Sequence, residues 1–229
     1  MTRPAPEAQC QEDDIQDVRQ TVPLEIPSVV IDRLPGYVRV LGRFADAGQD
    51  LISSEQLGAM LDVSPAQIRR DLSYFGRFGR QGSGYEVMSL LVRLREILQI
   101  DRTWRVCLLG AGRLGRSVAA YGELAAHGFR IVAVFDSDER LVGTQVEGLE
   151  VRNMTELEAS LDRDSIEIAI IAVPPEAAQR VSERLVAAGI RSILNYSPAH
   201  PRVPASVAIR NLEPVMALQA MTFHLTREG

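Results

Sequence analysis

The hydrophobic positions along the chain change rhythm near its middle. From Val30 to Phe44 they recur at helical spacing: Val30, Ile31, Leu34, Tyr37, Val38, Leu41 and Phe44. That spacing predicts a helix that buries one stripe. Ser28 stands where a capping residue belongs, and Pro35, lacking an N–H, should kink or restart the helix. Leu57 and Leu61, then Ile68 and Leu72, continue the rhythm in two short segments separated by Asp62-Val63. Ser53 or Ser54 is placed to cap the first. Ser64 is placed to cap the second, with Pro65 at its first position and Gln67 as a capping-box partner. Residues 77–87 read as a glycine-tipped β-hairpin. Met88 to Ile100 reads as a linker helix, and Asp101-Arg102-Thr103 marks a boundary.

Beyond that boundary the pattern becomes one of short apolar runs alternating with helical stretches. Val106–Leu109, Ile131–Phe135, Ile166–Val173 and Ile190–Leu194 are nearly continuous apolar segments, as expected of parallel strands buried on both faces. Between them lie predicted helices ending at Gly128, covering Glu156–Leu161, and running from Glu176 to Ala188 with Gly189 as the terminating residue. Strand–helix alternation of this kind predicts an α/β, doubly wound parallel sheet. A last capped helix, Asn211 to Leu225, carries Val215, Met216, Leu218, Met221, Phe223 and Leu225. It is apolar on more than one face, which fits either core burial in the monomer or a dimer contact through a swapped arm.

The candidate chemistry lies in two places. The first is Gly110-Ala111-Gly112-Arg113-Leu114-Gly115, between an apolar strand and a helix, followed by a second strand ending in Asp136. This is the layout of a dinucleotide site. Gly110 makes the turn, Gly112 admits a pyrophosphate to the backbone, and Gly115 lets helix and sheet approach. The helix N-terminus favours an anion, and Asp136 suits a ribose 2′-hydroxyl while repelling a 2′-phosphate, so NAD(H) is favoured over NADP(H). A glycine turn used only for packing is the plainer alternative. In such sheets the ligand crevice lies outside the carboxyl ends of the strands, here also Val173-Pro174 and Asn195-Tyr196; the latter pair also reads as a strand-ending turn.

The second place is residues 53–87. Two short helices with a tight turn fit a helix-turn-helix, and the hairpin after them fits a wing. The second helix carries Gln67, Arg69, Arg70, Ser73 and Tyr74 on its outer side; Arg and Gln there could read base edges. Ser64 at the helix N-terminus, with Arg77 and Arg80, could hold phosphates. A small protein-binding module with a solvated basic face is the alternative.

Composition refines this picture. The 229 residues carry 25 basic and 30 acidic side chains, a net charge of −5, and every base is Arg. The tail before Leu24 is acid-rich, and Arg69, Arg70, Arg77 and Arg80 form a local basic patch that an overall acidic chain can still offer to phosphates. No apolar run approaches a membrane helix, and no basic-then-apolar leader is present, so a cytoplasmic protein without membrane association is expected. Cys10 and Cys107 suggest neither a disulfide nor a metal site. His127, His200 and His224 lack catalytic surroundings, so no catalytic or metal-binding residue is expected.

The motifs SSEQLGAMLDVSPAQIRRDLSYFGRFGRQGSGYEV, LLGAGRLG, VFDSD, VPPEAAQ and ILNYSP occur in that order. With them, the chain resembles the Rex family of redox-sensing transcriptional repressors from about Ile26 to Leu225. The resemblance implies a homodimer that binds palindromic double-stranded operator DNA and is released when NADH, rather than NAD⁺, closes the dimer. It also implies a C-terminal helix exchanged between subunits. Carried over by motif, Gly110 to Gly115 would hold the pyrophosphate, Asp136 the adenosine ribose, and Val173 and Pro174 would border adenosine. Tyr121, Asn195 and Tyr196 would lie towards the nicotinamide. Arg70 stands where the family commonly has lysine, and Ser83 where an apolar wing residue is common. The expected layout is a disordered acidic tail (1–24), which is not part of the family pattern, a winged helix-turn-helix domain (25–87), a linker helix (88–103), a Rossmann-like domain (104–208) and a C-terminal dimerisation helix (209–229). An NAD-dependent oxidoreductase and a CoA-binding protein of the succinyl-CoA ligase type are the rival readings.

Overall fold

The computed structural model describes residues 26–76, 78 and 84–225 and divides between Gln99 and Ile100 into two compact units. The acidic tail and most of the expected wing, including Arg77 and Arg80, lie outside the described residues.

The first unit begins with α1 (Ser28–Asp46). Pro27 occupies its cap position and Ser28 is already helical, so Ser28 is not the cap. The helix runs through Pro35 without restarting. Pro35 faces outward, and the buried stripe of Val30, Leu34, Tyr37, Val40 and Leu41 carries the helix across it. Strand β1 (Leu51–Ile52) leads to α2 (Ser54–Leu61), which Ser53 caps in a reciprocal capping box with Gln56. At Gly58 a β-carbon would lie 2.4 Å from the Val63 carbonyl oxygen, so the turn closes only over glycine. Ser64 caps α3 (Pro65–Ser73), but the Gln67 side chain abandons the expected capping box and bonds Asp71 instead.

Strand β2 (Tyr85–Glu86) pairs antiparallel with β1, Leu51 opposite Glu86 and Ile52 opposite Tyr85. The strand expected to close a local hairpin thus pairs with a segment more than thirty residues earlier. The helix expected as a linker, α4 (Val87–Leu98), is part of this unit's core. Its Leu90, Leu91 and Leu94 pack with Leu34, Tyr37, Leu41, Ile68 and Leu72. Periodicity shows that a helix buries a stripe, not what covers it.

One charged side chain is fully buried among the described residues. Asp71 accepts from Arg33 Nε and Nη2 at 2.6 and 2.7 Å, Tyr37 Oη at 2.5 Å and Gln67 Nε2 at 2.6 Å. It ties α3 to α1.

The second unit comprises β3 (Trp104–Leu109), α5 (Arg113–Ala119), α6 (Glu123–Ala126), β4 (Phe129–Asp136), β5 (Gln145–Val146) and β6 (Leu149–Asn153). A 3₁₀ turn (Met154–Glu156) leads to α7 (Leu157–Arg163), β7 (Ile168–Ile171), α8 (Pro175–Ala187), β8 (Ser192–Asn195), β9 (Ala208–Asn211) and α9 (Pro214–Leu225). The described strands form a seven-stranded sheet ordered β5-β6-β4-β3-β7-β8-β9, parallel except for the β5–β6 pair. Setting β5 aside, the order is that of a doubly wound nucleotide-binding sheet, with its reversal between β3 and β7. The expected single helix up to Gly128 is broken into α5 and α6. Ala208–Asn211, placed at the edge of the C-terminal helix, is a sheet strand. Cys107 is buried mid-strand, and desolvation pushes its thiol up to about 12.

Burial works against the Asp71 carboxylate, but its donors outweigh that and hold its pKa below the usual range. The resulting stabilisation of the first unit should be complete above the unfolded value of about 4. It should fade as pH falls through the lower folded value, as read by the acid limb of a circular-dichroism melt series. Asp71→Ala, which leaves Arg33, Tyr37 and Gln67 without their acceptor, should cost about 3 kcal/mol in urea unfolding at neutral pH and make that limb shallower.

Candidate functional site

The crevice forms where the sheet order reverses. Strand β3 ends at Leu109, and Gly110 turns the chain with φ +102°; a β-carbon there would lie 2.4 Å from the carbonyl oxygen of Ala172, just past the end of the neighbouring β7. At Gly115 the same atom would fall 1.8 Å from the Gly110 carbonyl oxygen. These two glycines are required by packing. Gly112 is different. Its backbone is extended and no heavy atom lies within 4 Å of the missing β-carbon. Nothing in the fold demands glycine there, so the open space above it is the feature that fits a ligand reaching the backbone.

Asp136, at the end of β4, has both oxygens engaged. Oδ2 accepts from Ala111 N at 2.7 Å and Oδ1 from Asp138 N at 2.8 Å. It therefore fixes the first peptide of the glycine turn, and its remaining lone pairs stay open to further donors. Arg116 holds the other side of that residue, donating from Nε to the Ala111 carbonyl at 2.9 Å and from Nη2 to Thr144 Oγ1 at 3.1 Å.

Around these groups lies a crevice of about 760 Å³. Of the residues expected there, Gly110, Gly112, Arg113, Leu114, Asp136, Val173, Pro174 and Tyr196 line it. Ala111 and Gly115 are buried and shape the turn from below. Asn195 lies outside the crevice lining. It is fully buried, with Nδ2 donating to Ser197 O, Ala199 O and Asn211 Oδ1 and Oδ1 accepting from Ser197 N. Its polar atoms fasten β8 to β9. Tyr121 also lies outside the crevice lining, exposed between α5 and α6.

The motif reading missed Leu141, Met154, Arg180 and Arg184, which also line the crevice. Ala177, Arg180, Val181 and Arg184 follow Pro174 at helical spacing, so α8's facing side was the signal available. Arg184 is committed to Glu158 and the Met154 carbonyl. Asp138 is committed to Arg140, whose hydrogen bonds draw its carboxyl down to about 2.

In the first unit the structure sorts the residues of α3. Arg70 and Ser73 are exposed. Arg69 bonds Ser54 Oγ at 2.7 Å and sits 3.5 Å from Glu55. Gln67 is held by Asp71, and Ser64 Oγ accepts from Gln67 N as the cap. Tyr74 is half-buried at the helix end.

Two family models match the chain: a putative DNA-binding protein N-terminus over residues 25–73 and a CoA binding domain over residues 101–199. The chain is 44% identical over 204 residues to the redox-sensing transcriptional repressor Rex of Roseiflexus sp. (strain RS-1), covering 89% of this chain and 93% of that protein. It belongs to the Rex family. The Rex 1 repressor of Thermotoga maritima is 42% identical over 206 residues, covering 90% and 98% of the two chains. Among solved structures, the Rex-family repressor RSP in complex with beta-NAD+ and operator DNA superposes with a TM-score of 0.83 at 36% identity, covering 89% of this chain and 94% of RSP. RSP in complex with beta-NADH gives 0.79 at 34%, with 89% and 95% covered. The resemblance read from the ordered motifs, including the head fused to a nucleotide-type sheet, agrees with these matches. The CoA model covers only the α/β unit of this Rex chain.

Gly115 and Gly112 should separate in stability measurements. Gly115→Ala, forced against the Gly110 carbonyl, should lose about 2 kcal/mol or more in urea unfolding. Gly112→Val, opening into free space, should stay within about 0.5 kcal/mol of the parent.

Proposed function

We propose that this chain is a transcriptional repressor that senses the NADH/NAD⁺ ratio in the cytoplasm, binding palindromic operator DNA as a homodimer and releasing it when NADH binds. The observation that carries the reading is the pairing, in one Rex-family chain, of an open Gly112 cradle at a sheet reversal with an Arg70-bearing helix-turn-helix. The Rex-family repressor RSP, solved with beta-NAD+ and operator DNA and with beta-NADH, superposes over 89% of this chain, which supports the reading.

This chain's residues divide the work as follows. The extended backbone at Gly112 and the start of α5 receive the pyrophosphate, with Arg113 beside them. Asp136 accepts from the adenosine ribose and repels a 2′-phosphate. Val173, Pro174, Leu141 and Met154 give the adenosine end apolar walls, and Tyr196 lies towards the nicotinamide. When bound, the cofactor supplies a ring that is charged only when oxidised, and an apolar pocket disfavours that charge. NADH and DNA favour different arrangements of the two subunits, so each weakens the other by the same factor. On α9, Val215, Met216, Leu218, Met221, Phe223 and Leu225 are all more than half exposed. A second copy is the cover this reading gives them.

The match to a CoA binding domain favours one rival, CoA in the same crevice. Energy transfer from Trp104 to NADH, challenged with CoA, separates the two. As a regulator the protein should not turn over NADH with carbonyl substrates. Among the described residues, neither His127 nor His200 lines the crevice.

The central test is a mobility shift with a palindromic operator duplex. NADH should release the duplex at concentrations at least tenfold below those needed for NAD⁺; equal release overturns redox sensing. Gly112→Val should bind the duplex and ignore NADH, and Arg70→Ala should bind NADH and lose the duplex. Deletion of α9 should convert a dimer to a monomer in sedimentation velocity.

A further inference from the structure

We propose that Asp71 is the positioning residue of the DNA-reading surface, and that it confines base reading on α3 to the stripe Ala66–Arg70–Ser73 by holding Gln67 inward. The proposal rests on the operator-binding reading and deepens it. Successive helical residues are turned by about 100°. Ile68, Asp71 and Leu72 mark the buried side of α3, and Ala66, Arg70 and Ser73 lie opposite, all exposed. Gln67 and Arg69 stand on the two flanks. Sequence alone makes both of them natural base readers.

The structure gives both flanks other work. A carboxylate has about four lone-pair sites, and in Asp71 all four are filled: Oδ1 by Arg33 Nη2 and Gln67 Nε2, Oδ2 by Arg33 Nε and Tyr37 Oη. Turning Gln67 out to a base would leave a fully buried charged oxygen short of a donor. On the other flank Arg69 reaches back to Ser54 and Glu55 of α2. Arg33 and Tyr37 lie one turn apart on α1, so the carboxylate grips α1 at two points and fixes the rotation of α3 about its own axis. Non-specific attraction to phosphates tolerates small rotations, whereas base-edge contacts do not. Loosening this grip should therefore cost specificity before it costs affinity.

The test uses the full chain, a duplex selected by the wild type from a randomised pool, and a random duplex of equal length at the same salt. Gln67→Ala should keep the wild-type preference at every base pair within about twofold, whereas loss of a true base contact typically relaxes one position by tenfold or so. Tyr37→Phe removes one donor and keeps the ring. It should narrow the selected-to-random affinity ratio by about fivefold, with random-duplex affinity and the circular-dichroism spectrum unchanged. Relaxed reading at a single base pair in Gln67→Ala overturns the proposal, as does an unchanged ratio in Tyr37→Phe. A wild-type chain that selects no sequence overturns the operator reading as well.

Discussion

The turn from β3 into α5 must pass within contact distance of the β7 strand end, and the rest of the second unit is arranged around that requirement. Gly110 takes a left-handed conformation against Ala172, and Gly115 lets α5 rest on the Gly110 carbonyl. The close approach holds the first turn of α5 at the sheet's reversal point, where the two halves of the strand order diverge and a crevice must open. Asp136 and Arg116 then fix the peptide groups on either side of Ala111. Within that scaffold Gly112 is free of steric duty, so its bareness is informative about ligand in a way that its neighbours' is not.

The head depends on a different kind of constraint. Its apolar core joins four helices, but hydrophobic contact is non-directional and tolerates small rotations of one helix on another. The saturated Asp71 carboxylate does not. Hydrogen bonds of this kind have narrow geometry, and a buried charge is costly to leave partly satisfied. An anchor of this kind supplies the direction that apolar packing lacks.

Much of this was legible in the sequence. The apolar runs that became β3, β4, β7 and β8 are buried on both faces, so their pattern had little else to mean. Gly110–Gly115 and Asp136 were readable because each residue type answers a local steric or hydrogen-bonding need. β6 and β9 were missed because Leu149–Asn153 and Ala208–Asn211 are short and carry polar residues amid the apolar ones. The role of α4 was misread because one buried stripe looks the same whichever element covers it. Asn195 sits in the expected motif, yet its side chain is spent on neighbouring carbonyls and Asn211, a partner sixteen residues away that no local pattern reveals. Gln67 was expected as a capping-box partner and is not one for the same reason: its partner Asp71 is near in sequence, but only the burial of that carboxylate makes the bond obligatory.

The two-residue strand β5 runs against the grain of its neighbour β6, folded back through Glu147 and Gly148, both at positive φ. A parallel sheet that ended at β6 would present a row of bare amides and carbonyls to any passing chain. The reversed strip covers part of that row. It is brief and carries Gln145 on its exposed side, which makes it a poor template for further growth. The α/β unit is thereby shielded against edge-to-edge stacking with another copy of itself.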